Sequence, residues 1–136
     1  MEFLSFSLAG LDEFLAYFGL AIGFVAVFLV VYTRLTTYRE FRLIREGSTA
    51  AAASLSGALL GFTLPLASSI VHSVHPWDMM IWAAIALLVQ LLVFLLVRFT
   101  LVDVTRRIPE GDVAAGVLLG AVSVCAGVLN AACMTY

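Results

Sequence analysis

Acidic residues at two matching places are the side chains of this sequence whose types and spacing could do chemistry. Glu46 precedes a Gly-Ser step, and Glu110 precedes a Gly-Asp step 64 residues later. Carboxylates placed in this way could ring the mouth of a pore and attract cations. They could equally stabilise the positive end of a helix, with Ser48 and Asp112 as N-caps. The sequence leaves both interpretations open and assigns Glu46, Glu110 and Asp112 to a candidate inner mouth.

Residues that could form a catalytic or metal site do not come together in the sequence. No Ser or Cys stands near a His in a nucleophilic pattern, and no phosphate-binding loop is present. His72, His75 and Asp78 follow one another at intervals of three residues, as metal ligands could. Pro76 breaks the helix that would bring them to one face. We therefore expect no enzymatic activity, no metal and no cofactor.

The composition places these residues in a membrane protein. Of 136 residues, 63% are hydrophobic and 12% are charged, whereas a soluble domain carries about a quarter charged residues. Four apolar runs are each long enough for a helix to cross a bilayer, and their unbroken character argues against a transmembrane barrel. The runs cover residues 14–33, about 49–70, 79–97 and 113–135. The sequence predicts an all-α membrane protein with one transmembrane domain over residues 1–136.

The cations indicate how the four spans are oriented. All seven are arginines, and they follow the first and third runs, so the positive-inside rule places both arginine segments in the cytoplasm and both chain ends outside. We expect the segments to extend the first and third helices and to contact anionic lipid or a peripheral cytoplasmic protein. A net charge of −2 without an extended basic patch argues against nucleic-acid binding. The residues assigned to the contact are Arg39, Arg42, Arg45, Arg106 and Arg107.

The two halves of the chain match at an offset of 64 residues. Ile-Arg-Glu-Gly-Ser-Thr-Ala-Ala, which begins at Ile44, aligns with Ile-Pro-Glu-Gly-Asp-Val-Ala-Ala, which begins at Ile108. Glu and Gly in register within this loop, together with the alignment of Arg34 with Arg98, indicate an internal repeat. The expected fold is a tandem repeat of two-helix hairpins, about residues 12–72 and 76–136, that enter the membrane in the same direction.

A known family shares these motifs. The Ile-x-Glu-Gly-x-x-Ala-Ala signature, Gly-Ala-Leu-Leu-Gly in the second run and the closing Leu-Asn-Ala-Ala-Cys-Met-Thr-Tyr resemble the YjfL-like small bacterial inner-membrane proteins, a domain-of-unknown-function family. The resemblance covers nearly the whole chain and implies a four-helix protein of the bacterial plasma membrane, encoded near genes for envelope-stress proteins. That family typically has Asn after Glu-Gly, and Ser48 and Asp112 depart from it while keeping a capping side chain. The resemblance implies no activity.

Small residues on three of the predicted helices indicate how the helices pack. Lipid supplies no hydrophobic force between helices, so close backbone approach over glycine is a main source of packing energy. Further small faces on the second and fourth spans exceed the need of one four-helix monomer and favour a homo-oligomer. The alternative is that one monomer uses all of these faces. The Gly-x-x-x-Gly pairs are Gly19 and Gly23, Gly57 and Gly61, and Gly116 and Gly120.

Polar residues within the runs are neutral. No ionisable side chain lies near the middle of a run, which argues against proton-coupled antiport through a buried carboxylate. Gln90 needs a partner, either as an interhelical hydrogen bond or as pore lining. Pro65 predicts a kink in the second span, and Asn130 lies at a similar depth in the second half. Together with Thr63, these residues are the candidates for the lining of a path.

Two functions fit these features. The first is a homo-oligomer that forms a narrow conduit for an ion or small solute, with the acidic pair at its inner mouth and Gln90, Thr63 or Asn130 within. The repeat, the surplus of small helix faces and the paired acidic positions favour it. The second is a membrane anchor or scaffold that holds a peripheral envelope-stress protein through the arginine segments.

Overall fold

Six helices make up the described part of the chain, and four of them are long and apolar enough to cross a membrane. The structure, a computed structural model, describes residues 2–36 and 39–134, apart from the side chain of Val104. The four long helices confirm the predicted all-helical membrane fold. The helices are α1 (Glu2–Leu35), α2 (Glu40–Arg45), α3 (Thr49–His72), α4 (Pro76–Thr100), α5 (Val102–Arg107) and α6 (Val113–Cys133).

The helix ends differ from the predicted spans mainly at α1. It begins at Glu2, well before the predicted start at Phe14. Asp12 and Glu13 interrupt the apolar run but not the helix, because residues 2–13 contain no proline and half of them are good helix formers. The predicted end of the fourth span, Thr135, lies outside the described residues. Helix formation therefore continues past the residues that hydrophobicity alone marks.

The arginine segments do not extend the first and third long helices, which corrects that expectation. α1 ends at Leu35, and α2 is a separate helix that packs against α3. α4 ends at Thr100, and α5 packs against α4 and α6. Nη1 of Arg98 donates to the carbonyl oxygen of Leu35 over 2.7 Å, which satisfies one of the end carbonyls of α1. Each segment folds back against the long helix that follows it.

α1 runs antiparallel to α3. Near the middle of α1, the hydroxyl oxygen of Tyr17 accepts a hydrogen bond of 3.4 Å from Ser73, which caps the end of α3. Further along α1, the ring of Phe28 stacks on the ring of Phe62 with their centroids 4.8 Å apart. Residues later in α1 thus contact residues earlier in α3.

α1 and α4 run in the same direction. The ring centroids of Tyr32 and Phe94 are 4.9 Å apart, and one turn later Leu35 receives the guanidinium of Arg98. These contacts hold the last turns of α1 and α4 together at the arginine-rich end of the molecule, by which we mean α2, α5 and the turns that follow them.

α3 and α6 run parallel in direct backbone contact. A Cβ atom on any of their interface glycines would overlap backbone of the facing helix; on Gly120 it would lie 2.7 Å from the carbonyl oxygen of Ala53. Such an approach permits Cα–H to carbonyl contacts along the interface. Near the far end, Ser68 Oγ donates to the Ala131 carbonyl over 3.2 Å. The close pairs are Ala50 with Gly116, Gly57 with Gly120, and Gly61 with Ser123 and Gly127.

Two of the three predicted glycine pairs therefore serve one interface inside a single chain. Gly19 and Gly23 of α1 are different, because a Cβ atom on either would meet no other atom within 4 Å. α1 buries only Phe28 and Tyr32. α3 is the most buried of the long helices, and α1 and α6 each pack against both α3 and α4. α1 and α6 consequently occupy opposite edges of the four-helix arrangement.

Candidate functional site

The two matching turns at the arginine-rich end have the same backbone conformation. Gly47 has a φ of 90° and Gly111 a φ of 87°, in the left-handed region that favours glycine. The N–H of Gly47 donates to Ile44 and that of Gly111 donates to Ile108, each over 3.0 Å to the carbonyl oxygen. Two segments 64 residues apart in the sequence thus form the same turn.

The residues after these glycines cap the long helices that follow. The hydroxyl oxygen of Ser48 accepts from the backbone N–H of Ala51 over 3.2 Å. Oδ1 of Asp112 accepts from the backbone N–H of Ala114 over 3.1 Å. Each side chain satisfies one otherwise unpaired donor at the start of α3 or α6. This accounts for the capping residues at these two positions without any ligand.

The structure brings Glu46 and Glu110 to one place. Because α3 and α6 are parallel neighbours, their two N-terminal turns lie side by side and line a surface cavity of about 340 Å³. Asp112, the third residue of the candidate inner mouth, is half-exposed but does not line this cavity. The cavity walls are Leu43, Glu46, Gly47, Ser48, Thr49, Pro109, Glu110, Gly111 and Val113.

Arginines from the same segments partly neutralise this acidic group. Nε of Arg42 lies 3.3 Å from Oε1 of Glu46. Nη1 of Arg107 lies 3.8 Å from Oδ2 of Asp112. Both pairs are solvent-exposed, and exposed pairs contribute about 0–1 kcal/mol. Pairing of this kind weakens the attraction of the carboxylates for free cations.

The other assigned arginines lie on the outside of the arginine-rich end. Arg39, Arg45 and Arg106 are exposed, and within residues 2–36 and 39–134 they form no ion pair. Arg39 and Arg42 line a second cavity of about 250 Å³ together with Glu46 and Pro109. The acidic cavity is thus bordered by guanidinium groups.

One carboxylate that the sequence pattern does not mark as buried lies inside the fold. Glu40 is 1% exposed, although it stands within a run of charged residues that suggests a solvated surface. In α2 it lies three and four residues before Leu43 and Ile44, which pack against the hydrophobic core. Residues at these spacings share a helix face. The spacing of three and four residues could therefore have indicated that Glu40 is buried, but the charged residues around it favour a solvated surface.

Among the four intramembrane candidates, only Gln90 has a described side-chain hydrogen bond to another helix. It is 2% exposed, and its Nε2 donates to the Ser123 carbonyl of α6 over 3.0 Å. Nε2 also lies against Gly61 of α3, where a Cβ atom would come within 2.5 Å of it. Gln90 thus holds α4 in the groove between α3 and α6.

No described contact joins Thr63, Pro65 or Asn130 to Gln90. The hydroxyl of Thr63 donates to Leu60 within its own helix. Pro65 is buried inside α3, which continues as a helix to His72. It leaves the Gly61 carbonyl without its helix donor, but Gly127 of α6 covers that oxygen. Asn130 is half-buried one turn before the end of α6.

Comparison with known proteins agrees with this architecture. The model of the Domain of Unknown Function (DUF350) matches residues 5–134. The chain is 39% identical over 129 residues to the UPF0719 inner membrane protein YjfL of Escherichia coli (strain K12), a match that covers 95% of this chain and 98% of the relative. A protein of that name from Escherichia coli O157:H7 gives the same values.

No solved structure matches the chain. The relatives are named inner membrane proteins, and four helices of this chain can span a membrane. It is accordingly a multi-pass protein of the bacterial inner membrane, and it belongs to the DUF350 family.

Proposed function

We propose that this chain is a non-enzymatic membrane anchor whose arginine-rich end binds a peripheral cytoplasmic protein. The observation that carries the proposal is that two turns, distant in sequence, form one cavity of about 340 Å³. Leu43, Pro109 and Val113 give this cavity apolar walls, and Glu46 and Glu110 give it two carboxylates. Anionic lipid would need only the arginines, so the shaped cavity favours a protein segment.

The charges around the cavity define the chemistry of the partner. Arg39, Arg45 and Arg106 are exposed and would attract acidic side chains. Glu110 is also exposed, and no ion pair of the described residues includes it. A single basic side chain that enters the cavity would pair with it. The expected partner segment is therefore mostly acidic, with one lysine or arginine at its centre.

The anchor requires the arginine-rich end to face the cytoplasm and both chain ends to face outward. The distribution of the seven arginines supports this orientation. The matched turns and the common direction of the two hairpins support a tandem repeat, in which both hairpins enter the membrane in one sense. Labelling of a cysteine placed at Ser5 by an impermeant reagent on intact spheroplasts tests the orientation, and labelling only after lysis would contradict it.

Site-specific photo-crosslinking in cells tests the anchor. A photoreactive residue at Pro109, in the cavity wall, is expected to form an adduct with a soluble protein. The matched control is Trp77, which is exposed at the opposite end of the molecule. Replacing Arg39, Arg45 and Arg106 by glutamine should abolish the adduct, while the four remaining arginines keep the orientation. Absence of any adduct at Pro109, or an adduct that survives the triple substitution, would contradict the anchor.

The homo-oligomeric conduit remains a second candidate, and the bare glycine face of α1 favours it. The mouth-like cavity with Glu46 and Glu110 has no continuation between α3 and α6, where backbone meets backbone. A path would therefore have to run between copies of the chain, and α1 leaves a bare glycine face on which a second copy could pack. Purified protein in liposomes that passes neither cations, anions nor small neutral solutes would exclude the conduit.

A further inference from the structure

Residues of α1 and α4 correspond at an offset of 64. One face of the two helices differs in burial. In α4 this face is buried, and in α1 the corresponding face is exposed. Spacings of three and four residues keep each set on one side of its helix. The buried set in α4 is Met79, Ala83, Ala86, Gln90 and Phe94. The exposed set in α1, here the α1 stripe, is Leu15, Gly19, Ile22, Ala26 and Val30.

α3 and α6 show the same contrast, but here the exposed face lies on the later helix, α6. One face of α3 is buried along its whole length, and the corresponding face of α6 is exposed. The buried set in α3 is Ala50, Ser54, Gly57, Gly61, Pro65 and Ser69. The exposed set in α6, here the α6 stripe, is Ala114, Leu118, Ala121, Cys125, Leu129 and Cys133.

We propose that the α1 stripe of one copy packs antiparallel against the α6 stripe of a second copy. Within the chain, α4 already packs antiparallel against α6 through the face that corresponds to the α1 stripe. The α1 stripe extends over about 23 Å of helix and the α6 stripe over about 29 Å. Both combine small and large apolar residues, which permits close backbone approach in lipid.

Charges at the arginine-rich end fit this pairing. Arg34 stands one turn after Val30, on the same side of α1 as the stripe, and it is exposed. An antiparallel α1 would bring Arg34 level with the start of α6 in the neighbouring copy, where Glu110 and Asp112 stand. Its counterpart within the chain, Arg98, already binds the end of a neighbouring helix.

The surface that would receive α1 continues an interface that the chain already uses. Ala121 follows Gly120, whose backbone contacts α3, so a second α1 would lie beside the glycine contact of α3 and α6. α1 and α6 occupy opposite edges of the molecule, so this contact is head to tail. Head-to-tail contacts generate a ring when the rotation between copies closes. The anchor does not require this contact. The conduit does require it, because its path would run between copies of the chain.

Disulfide crosslinking in native membranes tests the contact. Antiparallel alignment of the two stripes places Ile22 level with Cys125, which is an exposed free cysteine. The variant I22C, in a Cys133→Ser background, is expected to give a ladder of covalent multimers on treatment with copper phenanthroline. The matched control is V27C, which is 48% exposed against 53% for Ile22 and lies about 140° around the helix axis from Ile22. It should remain monomeric.

A second substitution and a second measurement complete the test. Adding Cys125→Ser to I22C should remove the ladder, and the mass of the wild-type assembly in lipid nanodiscs should exceed that of one chain. Monomers only, dimers without a ladder, or equal crosslinking of I22C and V27C would overturn the proposal. Failure of the flux assay with an intact ladder would reject the conduit alone, and failure of photo-crosslinking at Pro109 would reject the anchor alone.

Discussion

The two hairpins have the same turn between their long helices, yet their first helices are used differently. α4 fills the groove between α3 and α6 through a buried face that contains Gln90. α1 buries only Phe28 and Tyr32 against α3 and α4. Its other contacts with the core, such as those of Leu20 and Phe24, are only partly buried, and one side of the helix stays exposed. In lipid, helices associate through shape and a few polar bonds rather than through hydrophobicity. Burial in this protein therefore follows the placement of small, aromatic and amide side chains.

The largest effect is expected where the two halves touch through their backbones. Gly57→Ala places a methyl group against the backbone of Gly120, where nothing flexible can move aside. Overpacking of this kind costs about 1–3 kcal/mol or more. Gly10→Ala is the matched control, since its added Cβ meets no atom within 4 Å. Thermal unfolding in detergent should separate the two variants, and equal stability would show that the α3–α6 contact is looser than described.

Gln90 should contribute more to the free energy of unfolding than a residue of similar size in α1. Gln90→Ala removes a buried side chain and the hydrogen bond to Ser123, at a cost of about 2 kcal/mol. Ile22→Ala removes an exposed side chain of α1 and should leave the unfolding of the detergent-solubilised monomer nearly unchanged. A loss of equal size in both variants would contradict the contrast between α4 and α1.

A smaller difference is expected between the two arginines that end the first helices. Arg98→Gln removes the guanidinium that donates to Leu35, and hydrogen bonds to charged groups contribute about 1.5–3 kcal/mol. Partial exposure of Arg98 to solvent lowers the expected cost to about 1 kcal/mol. Arg34→Gln removes the same charge from an exposed site. Urea unfolding in mixed micelles should therefore give Arg98→Gln a lower free energy of unfolding than Arg34→Gln. The reverse order would contradict the hydrogen bond from Arg98 to Leu35.

The smallest difference between the two hairpins is expected at their helix caps. Ser48→Ala and Asp112→Ala each remove an N-cap hydrogen bond, at a cost of about 1 kcal/mol. Thr49→Ala, next to the first cap, is the control and makes no capping bond. Helicity loss on heating, followed by circular dichroism, should be similar for the two cap variants. A clear difference between them would show that the two turns are not energetically equivalent.

Sequence reasoning found most of the elements but not their partners. Four apolar runs predicted four spans because the bilayer demands long helices, and residues such as Gly57 and Gly120 marked close packing because only glycine permits it. Gln90 was recognised as needing a partner, since an amide in lipid cannot remain unsolvated. The sequence could not say that Ser123 supplies the acceptor. It also concealed the burial of Glu40, because charged residues on both sides of it resemble a solvated surface.

Composition and spacing by themselves determined that the chain is a membrane protein with four spans, two capped turns and glycine-lined helices. These properties depend on local chemistry: transfer into lipid, backbone conformation at glycine, and hydrogen bonding at helix ends. Only the tertiary structure decided that α3 and α6 are the touching pair, that Glu46 and Glu110 line one cavity, and that α1 stays at the edge. These contacts depend on which side chains fit together when they are tens of residues apart in the sequence, and local sequence patterns do not predict that fit.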